Sequence, residues 1–365
     1  MTRVVVAMSG GVDSSVAAAL MKQHGHEVIG VTMTLAPNEE SSAHKGRGCC
    51  SVWDVTDAEK VAWQLDIPHY TFNLRDAFEK HVISDFISEY EKGRTPNPCR
   101  RCNQHIKFDH FLERAEALDA EYVVTGHYAQ IEKHSIENRY MLLRGHDFHK
   151  DQSYVLASLT QAQLSKILMP LGRFSKPEIR KMAAELELGV AKKKESMDLC
   201  FIPDGDTAGF LNDRMKTLKP GPIVDVSGEV VGRHQGLGAF TVGQRKGLGI
   251  ATGKPRYVLE LKVAQNTLVV GGMEDLEKSG IMVDELNWID PGFQSSIGKE
   301  NGSGCSIQYR STHRGCPGRV VGEPDSPVVK VLFDQPESAL SPGQAAVFYR
   351  GDEVVGGGTI ASTIE

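Results

Sequence analysis

The chain has 365 residues, 40% of them hydrophobic and 24% charged, which is the composition of a folded protein of two or three domains and excludes a disordered or fibrous one. Its 41 Lys and Arg against 47 Asp and Glu leave a net charge of −6, so it does not attract polyanions over its whole surface. No apolar run approaches the roughly 20 residues of a membrane span, and no basic start leads into a secretory segment; a cytoplasmic protein without membrane contact is expected.

In chain order, residues 3–8 read as a buried strand, and Val12, Val16, Leu20 and Met21 recur at helical spacing up to Gly25. A second strand is expected over 27–35. Thr56 to Glu59 reads as a capping box before a helix with Val61, Ala62 and Leu65, and a third strand follows over 69–74. Helices are expected over 77–90 and 108–118, flanking a Pro-rich basic loop at 95–102, with a fourth strand at 122–126. Such alternation predicts an α/β fold with a doubly wound, mostly parallel sheet. After about residue 202 short β-rich runs take over: hairpins at 223–226 with 229–233 and at 257–263 with 267–271, then strands at 327–333 and 345–349. The expectation is a catalytic domain over 1–205, a small β-rich domain over 206–278 and a C-terminal β-barrel over 279–365.

Ser9-Gly10-Gly11-Val12-Asp13-Ser14-Ser15 lies between the first strand and the first helix. Glycines there let backbone N–H groups converge on an anion, the helix N-terminus adds its dipole, and hydroxyls donate to phosphate oxygens. The loop lacks the Gly-Lys-Ser/Thr ending of a Walker A motif and the spaced glycines of a dinucleotide fingerprint. At the carboxyl ends of neighbouring strands, Met33 and Gly126-His127 should border the same crevice. Met33 reads equally as a cover for adenine or as a core methionine.

Seven cysteines in a chain without a secretion signal argue for reduced thiols with catalytic or metal roles. Cys99 and Cys102 flank Arg100-Arg101, and Cys200 follows Lys192-Lys193-Lys194; cationic neighbours favour thiolate. A zinc knuckle would need a second ligand pair, which is missing. Cys49, Cys50, Cys305 and Cys316 read as bystanders. Two stretches, 92–107 and 230–257, carry basic residues and no acid, as a polyanion site or a solvated loop would.

The loop resembles that of the ATP pyrophosphatase (PP-loop) superfamily, whose members cleave ATP between the α- and β-phosphates. Together with Asn97 to Asn103, Lys150 to Tyr154, Glu195-Ser196 with Cys200-Phe201-Ile202, and Phe240 to Ile250, it resembles the bacterial tRNA 2-thiouridylases over residues 1 to about 350. The resemblance implies ATP-dependent sulfur insertion at position 2 of the wobble uridine of glutamate, glutamine and lysine tRNAs. It implies ATP binding, with Mg²⁺, by Ala7, Met8, Ser9, Gly10, Gly11, Val12, Asp13, Ser14, Met33 and Gly126, and a catalytic pair Cys102 and Cys200 that forms a transient disulfide. Asn97, Pro98 and Cys99 would face the target base, and His127, Lys150, Asp151, Gln152, Tyr309, Arg310 and Gln344 would contact tRNA. A persulfide-carrying protein would donate the sulfur. One departure stands out: the family's base-facing segment usually reads Asn-Pro-Asp, and Cys99 replaces that acid. Three thiols at Cys99, Cys102 and Cys200 also suit an iron-sulfur cluster, a rival that is not favoured because the Asp-bearing relatives manage without the first thiol. Another PP-loop ligase and an RNA-binding module without chemistry are the remaining alternatives.

Overall fold

A computed structural model describes residues 1–35, 52–193, 199–202, 205–215, 219–251, 253–298 and 302–365, with the backbone alone at 52 and 53. Cys49, Cys50 and Glu195-Ser196 lie outside the described residues. The chain divides into two compact units. The first comprises Met1–Val82, Cys99–Gly205 and Asp352–Val354; the second Ile83–Pro98, Asp206–Gly351 and Val355–Glu365.

The first unit is built on a parallel sheet of β1 (Arg3–Ala7), β2 (Glu27–Thr34), β3 (His69–Asn73), β4 (Tyr122–Val124) and β7 (Ile167–Leu168), ordered β3-β2-β1-β4-β7. Val4, Val5 and Val6 are each 0% exposed, as the unbroken apolar run requires of a strand covered on both faces. Helices α1 (Val12–Gln23) and α2 (Val52–Gln64) follow β1 and β2. Val16, Ala17 and Ala18 of α1 and Ala58, Val61 and Ala62 of α2 join Val4, Val6 and Val28 in one core. Burying one such valine is worth about 1.5–3 kcal/mol. The strand order reverses between β1 and β4, so the crevice that an open α/β sheet offers a ligand lies at their carboxyl ends, beside residues 8–11 and 125–127. A hairpin of β5 (Ala129–Lys133) and β6 (Tyr140–Arg144), for which the sequence gives no strong turn signal, extends from β4; Leu143 and Leu142 pair with Glu353 and Val354.

Two local expectations are corrected. Helix α2 begins by Val52, so Thr56 lies inside it and does not cap it. Residues 98–102 are helical, not loop: Pro98–Arg101 forms a first turn, where a missing proline N–H costs nothing, and runs into a π-helical stretch, Cys102–His110.

The second unit contains a four-stranded sheet of β8 (Gly221–Val224), β9 (Val230–His234), β10 (Tyr257–Lys262) and β11 (Thr267–Gly271), closed over Ile223, Leu237, Phe240, Val258 and Leu268. The Ser227-Gly228 turn joins β8 and β9, with Gly228 at φ 87°. Beyond it, β12 (Lys278–Trp288), β13 (Ser303–Gln308), β14 (Cys316–Val321), β15 (Val329–Glu337), β16 (Ala345–Arg350) and β17 (Glu353–Ile364) follow the order β12-β15-β14-β13-β16-β17. Pairing of β12 with β17 closes them into a six-stranded barrel around Ile281, Val283, Ile307, Val331 and Phe348.

Candidate functional site

The loop after β1 is held open by its own chemistry. Gly11 occupies the N-cap of α1 and brings no side chain to it, leaving the first-turn N–H groups uncapped from that side. Gly10 sits at φ 66°, and a Cβ there would fall 2.3 Å from the Asp54 carbonyl oxygen, so only glycine fits. Gly126 meets the loop from β4: a Cβ on it would lie 3.0 Å from Asp13 C and Ser14 N. The loop and Gly126 therefore lie directly against each other. Ser9 is exposed at its mouth, whereas Ser14 and Ser15 donate their hydroxyls to the Gly11 carbonyl at 3.2 and 2.8 Å and shape the turn. Met33 is 8% exposed at the end of β2 and Met8 1%, which makes both core residues.

Two lysines that no motif announced brace this loop. Lys176, the first residue of helix α3 (Lys176–Glu185), donates to Asp13 Oδ1 and Oδ2 at 2.8 and 2.7 Å, and Tyr128 Oη donates to Oδ1 at 2.8 Å. Lys193 donates to the Gly10 carbonyl at 3.0 Å and to Asp54 and Asp57 at 2.8 and 2.7 Å. Burial works against the charge of Lys193, yet the two aspartates outweigh it and its pKa is raised, so it stays cationic beside the loop. Ser175-Lys176-Pro177-Glu178 is legible as a helix start, and its capping box forms. Nothing in that signature says that the lysine reaches Asp13.

Cys102 is 8% exposed, Cys99 is exposed and Cys200 is half-buried. Phe201 packs edge-on against Phe78, ring centres 5.9 Å apart. Phe78 ends a short helical turn, Arg75–Phe78, which packs on the stretch Cys102–His110. The residue after Cys200 thus leans on a turn that packs against the helical stretch beginning at Cys102.

The residues expected to meet RNA are less uniform. His127 is 8% exposed, with Nδ1 2.9 Å from Thr125 Oγ1, and burial holds its pKa well below the usual imidazole value. Asp151 is spent on structure: it accepts from Arg144, the Gly145 and Ser153 amides and the Ser153 hydroxyl. Gln152 accepts the Tyr128 amide at 3.0 Å, and Lys150 is half-buried. Tyr309 is 2% exposed, while Arg310 beside it is exposed. Within the second unit, Gln344 donates to the Thr95 carbonyl at 3.0 Å and the Pro96 carbonyl at 3.3 Å, so it holds the segment leading into Asn97-Pro98.

The two acid-free stretches differ. Lys92 and Arg94 both face Glu89, at 2.9 and 2.8 Å, and Arg100 is 5% exposed, which consumes much of the first. In the second, Arg245, Lys254 and Arg256 line a cavity of about 250 Å³ with Gly247, Leu248 and Gly249, and Arg256 Nε is buried without a hydrogen-bond partner among the described residues. That is chemistry for a phosphate.

The chain matches family profiles described as the tRNA methyl transferase HUP domain over residues 2–204, its PRC-barrel domain over 208–272, and an aminomethyltransferase β-barrel domain over 278–360. It is 50% identical over 99% of its length, and 93% of the relative's, to the tRNA-specific 2-thiouridylase MnmA of Heliobacterium modesticaldum. It is 46% identical to that of Solibacter usitatus over 98% of both chains. The chain belongs to the tRNA-specific 2-thiouridylase family. Membership makes it an enzyme of the tRNA sulfurtransferase class, on an ATP-using PP-loop scaffold. Among the described residues no helix is long and apolar enough to cross a membrane.

Proposed function

We propose that this enzyme converts the C2 carbonyl of the wobble uridine of glutamate, glutamine and lysine tRNAs into a thiocarbonyl, in the cytoplasm, with ATP and a persulfide as co-substrates. The observation that carries the reading is the braced, uncapped loop after β1 in the same compact unit as Cys102 and Cys200. The domain limits expected from the sequence belong to the same proposal.

Uracil C2 is a weak electrophile and oxide cannot leave, so its oxygen must first be activated. The C2 oxygen attacks the α-phosphorus of ATP and pyrophosphate departs, received by the N–H groups of residues 9–14. Mg²⁺ enters as part of the MgATP substrate; Asp13, with both oxygens engaged by Lys176, serves to shape the loop. Cys200 carries the persulfide, and its terminal sulfur attacks C2 as AMP leaves with the original oxygen. The Cys102 thiolate then attacks Cys200 Sγ, releasing thiolated uridine and leaving a Cys102–Cys200 disulfide that a dithiol reductant reopens. Asn97, Pro98 and Cys99 face the base, Gln344 steadies the segment just before Asn97, and Arg310 meets the tRNA backbone.

A cubane cluster needs three thiols turned to one space. Cys99 is exposed and Cys102 buried, although they are only three positions apart, which favours the persulfide. Protein purified without oxygen and given unmodified glutamate tRNA, ATP and a persulfide donor should form 2-thiouridine, AMP and pyrophosphate in equal amounts, and should be colourless. Cys99→Asp should keep most of that activity. Brown protein whose activity tracks iron and disappears in Cys99→Ala would replace the persulfide by a cluster, and ATP bound but never cleaved would remove the enzyme reading altogether.

Because net charge is −6, tRNA affinity should rest on the cationic cavity and be steeply salt-dependent. Neutralising Arg245, Lys246, Lys254 and Arg256 together should lower the slope of log affinity against log salt by about one unit for each phosphate that the protein no longer neutralises. An unchanged slope would place these residues in solvent.

A further inference from the structure

Three side chains for which thiolation has no use meet in the C-terminal barrel. His313 lies in the turn before β14, Cys316 opens β14 and Glu337 closes β15; one ligating atom of each lies within 4.8 Å of the others. Among the described residues this is the only such group of His, Cys, Asp or Glu. Cys316 is 7% exposed, and the other two are half-buried. From the sequence, Cys316 is a bystander.

The surroundings orient the set. Tyr309 Oη donates to Glu337 Oε2 at 2.6 Å, and the Tyr309 ring lies over the His313 ring with centres 4.2 Å apart and planes at 32°. One buried tyrosine therefore fixes both a carboxylate and an imidazole, the kind of support that outer groups give to metal ligands. His313 Nδ1 accepts the Gly315 amide at 3.1 Å, which places the lone pair of the neutral ring on Nδ1. Binding an ion asks the ring to turn that lone pair, or Nε2 after tautomer exchange, toward it.

We propose that His313, Cys316 and Glu337 form a site for a borderline-soft divalent cation of the zinc type, with three protein ligands and a water in the fourth position. The donor types decide the class. Thiolate and imidazole do not suit Mg²⁺ or Ca²⁺, whereas a nitrogen, sulfur and oxygen set suits tetrahedral Zn²⁺. Ligand atoms around such an ion stand about 3.3–3.8 Å apart, given bonds of about 2.0–2.3 Å, so modest rotations close the present gap. Binding releases the Cys316 thiol proton to solvent and oxidises nothing. A bound ion would pin the β14 end of the turn that presents Arg310, while Tyr309 at its other end is tied to the ligand Glu337, and so link metal content to the RNA-facing edge of the barrel. The site itself does not depend on the thiolation reading.

The full-length protein, stripped with chelator and kept reduced, should be titrated with Co²⁺ as the probe. Cys49, Cys50, Cys99, Cys102, Cys200 and Cys305 also carry thiols, so the readout is the difference between wild type and variants. Cys316→Val should lose one equivalent of cobalt and the associated thiolate-to-cobalt absorption in the near ultraviolet. Glu337→Gln, which keeps an acceptor for Tyr309 and so preserves folding, should bind that equivalent at least tenfold more weakly. Zn²⁺ should displace it, and should raise the thermal midpoint of wild type more than that of Glu337→Gln. Identical stoichiometry and spectrum in wild type, Cys316→Val and Glu337→Gln, or no cobalt uptake by wild type, would overturn the site and leave a hydrogen-bonded Tyr309–Glu337–Cys316 cluster in its place.

Discussion

Cys200→Ser and Cys102→Ser should each reduce 2-thiouridine formation to background while leaving pyrophosphate release and tRNA binding largely intact. A serine at 200 cannot accept sulfane sulfur, so the adenylated uridine waits for a nucleophile that never forms. A serine at 102 cannot resolve the mixed disulfide, because thiol–disulfide exchange needs a sulfur nucleophile and a hydroxyl does not attack a disulfide near neutrality. Both substitutions remove one atom's worth of chemistry and little volume, so folding is not the variable being read. The two should differ in what accumulates: the Cys102→Ser protein should trap tRNA through a reducible bond to Cys200, and the Cys200→Ser protein should trap none. Thiolation by either variant within a few-fold of wild type would refute the assignment.

The reach of the sequence follows from how local each signal is. An apolar run at 3–8, then Gly-Gly and a helical period, encodes β1, the loop and α1 within about 25 consecutive residues, and all three form as expected. The hairpin at Ser227-Gly228 is equally local, and it forms too. The errors come where context decides. Thr56 carries the side chain of a cap, yet α2 already runs through it from Val52. Pro98 reads as a loop residue, yet proline is at home in a first helical turn. The bracing of the loop is less accessible still, since Lys176 and Lys193 stand 163 and 183 positions from their partners Asp13 and Gly10. A lysine in a capping sequence carries no mark of where its amine will end. Tyr309 shows the same limit from the other side: the family resemblance names it beside Arg310, and only the folded barrel shows its hydroxyl committed to Glu337.

Asp13→Ala should abolish pyrophosphate release before any sulfur is involved, and Lys176→Met should lower it about 10- to 100-fold, mainly through a raised KM for ATP. Asp13 is a carboxylate in the first turn of α1, the helix proposed to receive the triphosphate, so left alone it would repel that substrate. Lys176, 8% exposed and 2.7 Å away, cancels that charge and, with Tyr128, fixes the turn from which the amides point. Hydrogen bonds to charged groups are worth about 1.5–3 kcal/mol, which sets the range for losing the lysine while the aspartate stays. Because the two act as a unit, Asp13→Asn with Lys176→Met should be no slower than the slower of the two single variants. Lys176→Met should leave disulfide formation between Cys102 and Cys200 untouched, which separates loop bracing from the sulfur chemistry. If the two substitutions multiply instead, Lys176 acts on the nucleotide directly and not through Asp13.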